Sequence, residues 1–312
     1  MDTVYILLAT YNGDRYLQQQ LDSFISQTYS NWILVVSDDC SSDNTTNILN
    51  DFKNKYENRV YIINNEKPSG SAKSNFINLL SHSNLIENGY IMFSDQDDIW
   101  LPNKIELTLK RMKELENDDP NIPCLVYSDL YVVNEQLDIV DHSFFNYSNL
   151  SSKCNSLNHI LIQNNMAGCT SMINKSLYKI FINHEIPKNF IMHDWWLLIL
   201  AKSIGKVSII NEPLIYYRQH TTNSVGAPQY GFQLFLNKIK KKDTKILIKE
   251  TMKQAEEFCK IYGKILPKEN FNIIKKYSEI YKSNKIIRIY SYFKYNYLKY
   301  GFFRKMGQII YG

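Results

Sequence analysis

Three carboxylates fall within four positions, at Asp95, Asp97 and Asp98, in the stretch Ser94-Asp95-Gln96-Asp97-Asp98-Ile99-Trp100-Leu101-Pro102. They follow directly on the apolar run Tyr90-Ile91-Met92-Phe93. Like charges this close repel, and each must stay hydrated or find a positive partner. A single acid at such a place would be a helix cap and nothing more. Two carboxylates spaced i, i+2 can instead offer oxygen ligands to Mg²⁺ or Mn²⁺, cations that bridge protein carboxylates to phosphates.

Three further groupings have side chains suited to chemistry. Asp38-Asp39-Cys40-Ser41-Ser42-Asp43 is rich in turn formers, yet a carboxylate at a strand tip can also reach a ribose or a base edge. In His193-Asp194-Trp195-Trp196, Asp194 is either the cap of an apolar helix or a general base whose pKa is lifted by the apolar wall beside it. His220, in Gln219-His220-Thr221-Thr222-Asn223, is a surface histidine or a metal ligand.

The elements that must position these groups alternate. Val4–Ala9, Trp32–Val36, Val60–Ile63 and Tyr90–Phe93 are continuous apolar runs, the pattern of parallel strands buried on both faces. Between them Leu17, Leu21, Phe24 and Ile25, then Ile48, Leu49 and Phe52, then Phe76, Ile77, Leu79 and Leu80 recur at helical spacing. This alternation predicts an α/β fold, a mostly parallel sheet flanked by helices. Ligands of such sheets bind beyond the carboxyl ends of the strands. Thr10-Tyr11-Asn12-Gly13, Asp38-Asp39 and Asp95–Asp98 all fall on that one edge.

Pro102 suits a helix start, with Ile105, Leu109 and Met112 on the inner face. The middle third is less regular: strands are expected at Cys124–Tyr127, Leu130–Val133, Val207–Ile210 and Leu214–Tyr217, a Gly168-marked turn before Ile173, and a polar loop over 141–156. Trp195–Ser203 predicts a short apolar helix.

Five cysteines, at 40, 124, 154, 169 and 259, are odd in number and form no CxxC or Cys/His cluster. Neither a disulfide framework nor a zinc site is indicated, and a reducing cytosol is the expected setting. No apolar stretch approaches the roughly 18 residues of a membrane span, and the N-terminus does not read as a secretory leader. No GxGxxG is present, which argues against a dinucleotide cofactor. Charge divides the chain. Residues 231–312 carry 19 Lys/Arg against 6 Asp/Glu, whereas 1–230 carry 17 against 25, with a break near Gly226-Ala227-Pro228.

Taken in order, TYN, SDDCSSDNT, SDQDDIWLPNK, AGCTSMINKSL, MHDWW and YRQHTTNSVG resemble an inverting family-2 glycosyltransferase of the GT-A fold, in its bacterial rhamnosyltransferase-like branch. The resemblance spans about residues 3–226, and the closing KYGFFRKMGQIIYG is also similar to that branch. It implies a catalytic domain over 1–226, with a nucleotide-binding half to about 100 and an acceptor half after it, then a basic, aromatic-rich helical extension over 227–312.

The resemblance also implies roles. Thr10, Tyr11 and Asn12 match the segment that contacts the nucleotide; Asp39 matches the acid that reads the base, with Asp38 beside it. Lys73 matches a basic nucleotide contact. Asp95 lies toward the ribose, Asp97 is the direct ligand of Mn²⁺ or Mg²⁺, and His220 completes the metal's coordination. Asp194 matches the catalytic base. Trp100, Gly168, His193, Trp195 and Trp196 are expected around the sugar and acceptor pocket. The expected partners are a nucleotide-sugar donor and a saccharide acceptor, lipid-linked in the sharper reading, with L-rhamnose from dTDP-rhamnose the preferred donor and a UDP-hexose or UDP-N-acetylhexosamine the alternative.

In the basic tail, Ile286, Ile287, Ile289, Tyr290, Tyr292, Phe293, Tyr295 and Tyr297 are interspersed with Lys285, Arg288, Lys294 and Lys299. This is an amphipathic helix pattern, either packed on the catalytic domain or lying on an anionic membrane leaflet. The second reading suits a cytoplasmic enzyme at the inner face of a bacterial plasma membrane, making a cell-surface polysaccharide such as a capsule. No nucleic-acid motif accompanies the charge, and a homo-oligomer is left open. A sugar nucleotidyltransferase would carry a Gly-rich basic loop where this chain has TYNGDRY. A non-catalytic membrane-binding protein would leave DQDD, HDWW and His220 unused.

Overall fold

The computed structural model describes residues 2–82, 89–220 and 243–312. The break expected at Gly226-Ala227-Pro228 and the TTNSVG end of the last motif lie outside them. The described residues fall into two compact units. The first takes in those of Met1–Ser143, Met166–Ile182 and Lys206–Gly226; the second those of Phe144–Asn165, Asn183–Gly205 and Ala227–Gly312. The HDWW segment thus groups with the C-terminal helices, and not with the sheet.

Unit one begins as the apolar runs predict. β1 (Thr3–Thr10), α1 (Asp14–Ile25), β2 (Trp32–Asp38), α2 (Thr45–Lys55), β3 (Val60–Asn64), α3 (Ala72–Ser81) and β4 (Gly89–Ser94) alternate along the chain. β1 pairs in parallel with β2 and with β4, and β2 with β3. Val4 to Ala9 are buried, because helices cover both faces of a parallel sheet. In register, Thr10 faces Asp38 and Leu8 faces Ser94, which brings the three polar tips to one edge.

The rest of the sheet is mixed. β5 (Ile99–Trp100), α4 (Lys104–Glu116), β6 (Cys124–Val133), β7 (Ile139–Asp141), β8 (Ser171–Ile173), α7 (Lys175–Ile182) and β9 (Lys206–Arg218) complete the unit, while α5 (Phe144–Tyr147) and α6 (Leu157–Ile162) belong to unit two. The strand order is β3-β2-β1-β4-β8-β6-β9-β5, with β7 against β6. β8 runs antiparallel to both β4 and β6, while β6 and β9 are parallel.

Four expected strands are in fact two long ones. β6 and β9 are each continuous, and the register between them shifts at Ser128/Asp129 and Asp129/Tyr131, opposite Pro213. Proline cannot donate to the ladder, so a strand passes it at a bulge. Ile105, Leu109 and Met112 are buried on α4 as its spacing predicts.

Unit two is helical: α5 (Phe144–Tyr147), α6 (Leu157–Ile162), α8 (His193–Ile204), α9 (Asp243–Tyr262), α10 (Lys268–Glu279), α11 (Lys285–Lys294) and α12 (Phe302–Tyr311). The loop expected over 141–156 thus contains the short α5. Its core is aromatic, with Trp196 against Phe258 and Phe190 at centroid distances of 5.1 and 6.1 Å. Among the described residues no helix is long and apolar enough to cross a membrane.

Candidate active site

The tips of β1 and β2 are tied together by side chains. Thr10 Oγ1 donates to Asp38 Oδ1 at 2.8 Å, and Asp38 also accepts from the Ser41 amide and hydroxyl at 2.8 and 2.6 Å. Asn75 Nδ2, from α3, donates to the carbonyls of Ser37 at 2.8 Å and Thr10 at 3.3 Å. Asn12 is left-handed (φ 46°), a conformation Asn tolerates, and its Oδ1 accepts from the Ser42 amide at 2.8 Å. Asp38 therefore braces the rim.

Asp39 is buried, and its carboxylate accepts from the amides of Ser69 and Gly70, the latter at 3.1 Å. Gly70 has φ 81°, which a side chain would disfavour. Lys73 follows in the first turn of α3, behind the Ser71 cap.

The acid turn is held at both ends. Gln96 donates from Nε2 to the Tyr11 carbonyl and accepts at Oε1 from the Tyr11 amide, at 2.9 and 2.8 Å. A Cβ at position 13 would meet the Gln96 carboxamide, so a glycine leaves room for this clamp. This two-point clamp leaves the Tyr11 ring exposed. At the far end Arg218 is buried: its amide donates to Asp98 Oδ1 at 3.2 Å and its Nε to the Asp97 carbonyl at 3.0 Å. Its remaining nitrogens reach the Glu135 carbonyl and Gln19 Oε1, at 2.6 and 2.5 Å.

His220 Nε2 and Asp97 Oδ2 lie 2.7 Å apart. The Tyr16 ring backs the imidazole at 4.8 Å and carries the Arg218 guanidinium 4.5 Å from its centroid. Neighbouring ligands of an octahedral cation stand roughly 3 Å apart, so these two atoms already have the spacing for sharing Mn²⁺ or Mg²⁺. The carboxylate oxygen suits either ion, while an imidazole nitrogen, softer than the oxygens Mg²⁺ takes, favours Mn²⁺ of the two.

A second grouping has a different character. One ligand atom each from Asp95, Asp98 and Cys169 lie within 4.8 Å of one another. Burial, then the charges of Asp97 and Asp95, hold the Asp98 carboxyl well above the usual range, and burial raises the Cys169 thiol. A protonated thiol is a poor ligand for a hard cation. Asp97 is thus paired with His220, while burial and its acidic neighbours disfavour the charged form of Asp98.

Two expected pocket walls are core residues instead. Trp100 is 1% exposed, edge-on to Phe24 at 5.0 Å, with Lys104 Nζ 3.7 Å from its ring centroid. Burial pulls that lysine down to about 7. Trp196 is 0% exposed and packed on Phe258 and Tyr262. Trp195 is buried as well, its Nε1 donating to the Ile160 carbonyl at 2.6 Å. Gly168 opens a single 3-10 turn that carries Cys169.

In unit two, Asp194 lies in the first turn of α8. Its Oδ1 accepts from the Trp195 amide at 2.7 Å and its Oδ2 from Asn164 Nδ2 at 3.0 Å. Burial raises its pKa to about 6, partly offset by those hydrogen bonds. A carboxylate fixed in this way and titrating just below neutrality can take a proton from a hydroxyl. His193 beside it is buried, which lowers its pKa to about 3 and keeps it neutral.

Unit one thus brings together Thr10, Tyr11, Asn12, Asp38, Asp39, Asp95, Asp97 and His220, while His193 to Trp196 belong to unit two. Gln96, Arg218, Tyr16, Cys169 and Asn164 have roles that motif reading misses. Arg218 did leave a signal: a full charge closing the apolar run Leu214–Tyr217.

Residues 5–181 match Glycosyl transferase family 2. The chain is 32% identical to the dTDP-rhamnosyl transferase RfbG of Shigella flexneri, over 70% of this chain and 74% of that one. It is 29% identical to the UDP-Glc:alpha-D-GlcNAc-diphosphoundecaprenol beta-1,3-glucosyltransferase WfaP of Escherichia coli, over 74% and 82%. Among solved structures, S. aureus TarS 1-349 in complex with UDP-GlcNAc superposes with a TM-score of 0.59 at 16% identity, over 93% of this chain and 75% of that one. The mannosyltransferase PcManGT from Pyrobaculum calidifontis in complex with GDP-Man and Mn2+ gives 0.55 at 13%, over 92% and 72%. The chain belongs to glycosyl transferase family 2 and is a glycosyltransferase of the GT-A fold.

Proposed function

We propose that this enzyme transfers L-rhamnose from dTDP-rhamnose to a saccharide acceptor, inverting the anomeric centre, in the synthesis of a bacterial cell-surface polysaccharide. What supports the reaction most is that Asp97 and His220, 123 residues apart, meet at 2.7 Å on the rim that carries Thr10–Asn12 and Asp39. The donor sugar is supported by the 32% identity to a dTDP-rhamnosyl transferase. The acceptor in this reading is lipid-linked and is met at the inner face of the plasma membrane.

Asp97 and His220 would hold Mn²⁺ or Mg²⁺, which supplies Lewis-acid stabilisation of charge on the departing diphosphate. The buried Asp39 and the Thr10–Asn12 segment bind the nucleotide. Asp194 removes the proton of the acceptor hydroxyl as that oxygen bonds to the anomeric carbon and the carbon–phosphate oxygen bond breaks. Asn164 keeps one carboxylate oxygen of Asp194 oriented, and the Trp195 amide holds the other. A UDP-hexose donor is the second reading, favoured by the 29% identity to a UDP-Glc-dependent glucosyltransferase.

The test is a donor panel of dTDP-rhamnose, UDP-glucose and UDP-N-acetylglucosamine with Mn²⁺, scored by nucleoside diphosphate release in the presence of a saccharide acceptor. Release from dTDP-rhamnose is expected. Release from a UDP-sugar alone replaces the donor with the second reading, and release from none of the donors removes both.

A further inference from the structure

The catalytic rim makes no use of the last two helices, where exposed apolar side chains concentrate. Eight of the sixteen large hydrophobic residues exposed among the described residues fall between Ile286 and Ile310. On α11, Ile286 (80% exposed), Tyr290 (59%) and Phe293 follow i, i+4, i+7 spacing; on α12, Phe302 (72%), Met306 and Ile310 follow i, i+4, i+8. These stripes point away from the packed sides, where Tyr292 and Gln308 are 0% exposed.

Side-chain hydrogen bonds tie the last turns of α12 to the start of α11 and to the segment between the two helices. Lys285 Nζ, at the start of α11, donates to the Ile310 carbonyl at the end of α12 at 2.7 Å. Gln308 adds a second tie, donating to the Tyr297 carbonyl and accepting from the Lys299 amide at 2.6 and 2.9 Å. The apolar stripes therefore belong to one tied unit whose ends meet at Lys285 and Ile310.

Charge selects the occupant. Residues 280–312 carry seven Lys/Arg and no Asp or Glu. Lys282, Lys285, Lys294 and Lys305 are exposed, and Lys294 Nζ sits 5.2 Å from the Tyr290 ring centroid. An apolar body beside a cationic head is what the boundary of an anionic leaflet accepts, with the ring among acyl chains and the ammonium at the phosphates. A second copy of this chain would instead set cation against cation.

We propose that the outward faces of α11 and α12 dock the enzyme on an anionic lipid bilayer. This deepens the membrane-side acceptor reading given above and rests on it.

The test is flotation of the full chain with phosphatidylcholine vesicles, with and without phosphatidylglycerol. Co-flotation is expected only with phosphatidylglycerol, falling as salt rises. The triple variant I286S/Y290S/F302S and the double variant K294Q/K305Q should each lose about tenfold in vesicle affinity. Both sets of side chains are exposed, so diphosphate release with a soluble acceptor stays at the wild-type level and shows an intact fold.

Equal flotation of the triple variant and wild type overturns the proposal, as does flotation indifferent to lipid charge. So does a wild-type dimer by light scattering that the triple variant breaks while neither floats. Sugar transfer without flotation sinks the docking surface and leaves the reaction standing. Flotation without transfer supports the surface and sinks the reaction.

Discussion

Arg218 donates from Nε to the main-chain carbonyl of Asp97 at 3.0 Å, so the residue two positions before His220 fixes the backbone of His220's partner. The end of β9 thereby leads into His220 and carries the brace for its partner Asp97. Two of the guanidinium hydrogen bonds go to main-chain carbonyls, those of Asp97 and Glu135, and the Tyr16 ring lies against both Arg218 and His220.

Lysine cannot reproduce that fork. Arg218→Lys should raise the Mn²⁺ concentration needed for half-maximal activity by about tenfold, a loss of roughly 1.5 kcal/mol from one charge-assisted contact. Melting temperature without metal should fall as well, since buried donors are lost. Unchanged metal dependence would remove Arg218 from the positioning role.

Asp194 gives a pH signature. Its pKa of about 6 lies above the usual carboxylate value, so the basic form is present above that pH and is lost as pH falls through it. The turnover rate should drop by about tenfold per pH unit below 6. Asp194→Asn should lower turnover by about 10²–10⁴-fold at neutral pH while donor affinity is kept. Stability at pH 7 should not fall, because a raised carboxylate pKa means that ionisation there works against the fold.

Asn164 tests the same site indirectly. Its amide donates to the Asp194 carboxylate and so favours the ionised form. Asn164→Ala should therefore move the acid limb of the rate profile to higher pH, while a merely structural role would lower activity at every pH alike.

The aromatic core of unit two has its own consequence. Trp196→Ala should destabilise the enzyme by about 3–5 kcal/mol, as expected for emptying a buried tryptophan site. Trp196→Phe should leave the KM for donor unchanged, measured by diphosphate release. A raised KM without loss of stability would return Trp196 to the sugar pocket.

Much of this was legible from residues alone. A strand covered on both faces is apolar along its whole length, and β1, β2 and β4 announce themselves and their polar tips in that way. β6 and β9 were harder, because Ser128-Asp129 and Asn211-Glu212-Pro213 interrupt the apolar pattern at a bulge. Motif position gave the neighbourhood of Trp100 and Trp196 but not their direction; a residue next to a site in sequence can still turn into the core. Contacts such as Gln96 with Tyr11 and Arg218 with Asp97 span 85 and 121 positions, and no local pattern encodes them.

In the proposed reaction, Asp97 and His220 together would hold a divalent cation that grips the donor's diphosphate. Thermal shift of wild type, Asp97→Asn and His220→Gln, each with dTDP and with or without Mn²⁺, tests it most directly. dTDP should stabilise the wild type strongly only with Mn²⁺, and each variant should lose the metal-dependent part. An equal Mn²⁺-dependent shift in all three proteins would contradict it.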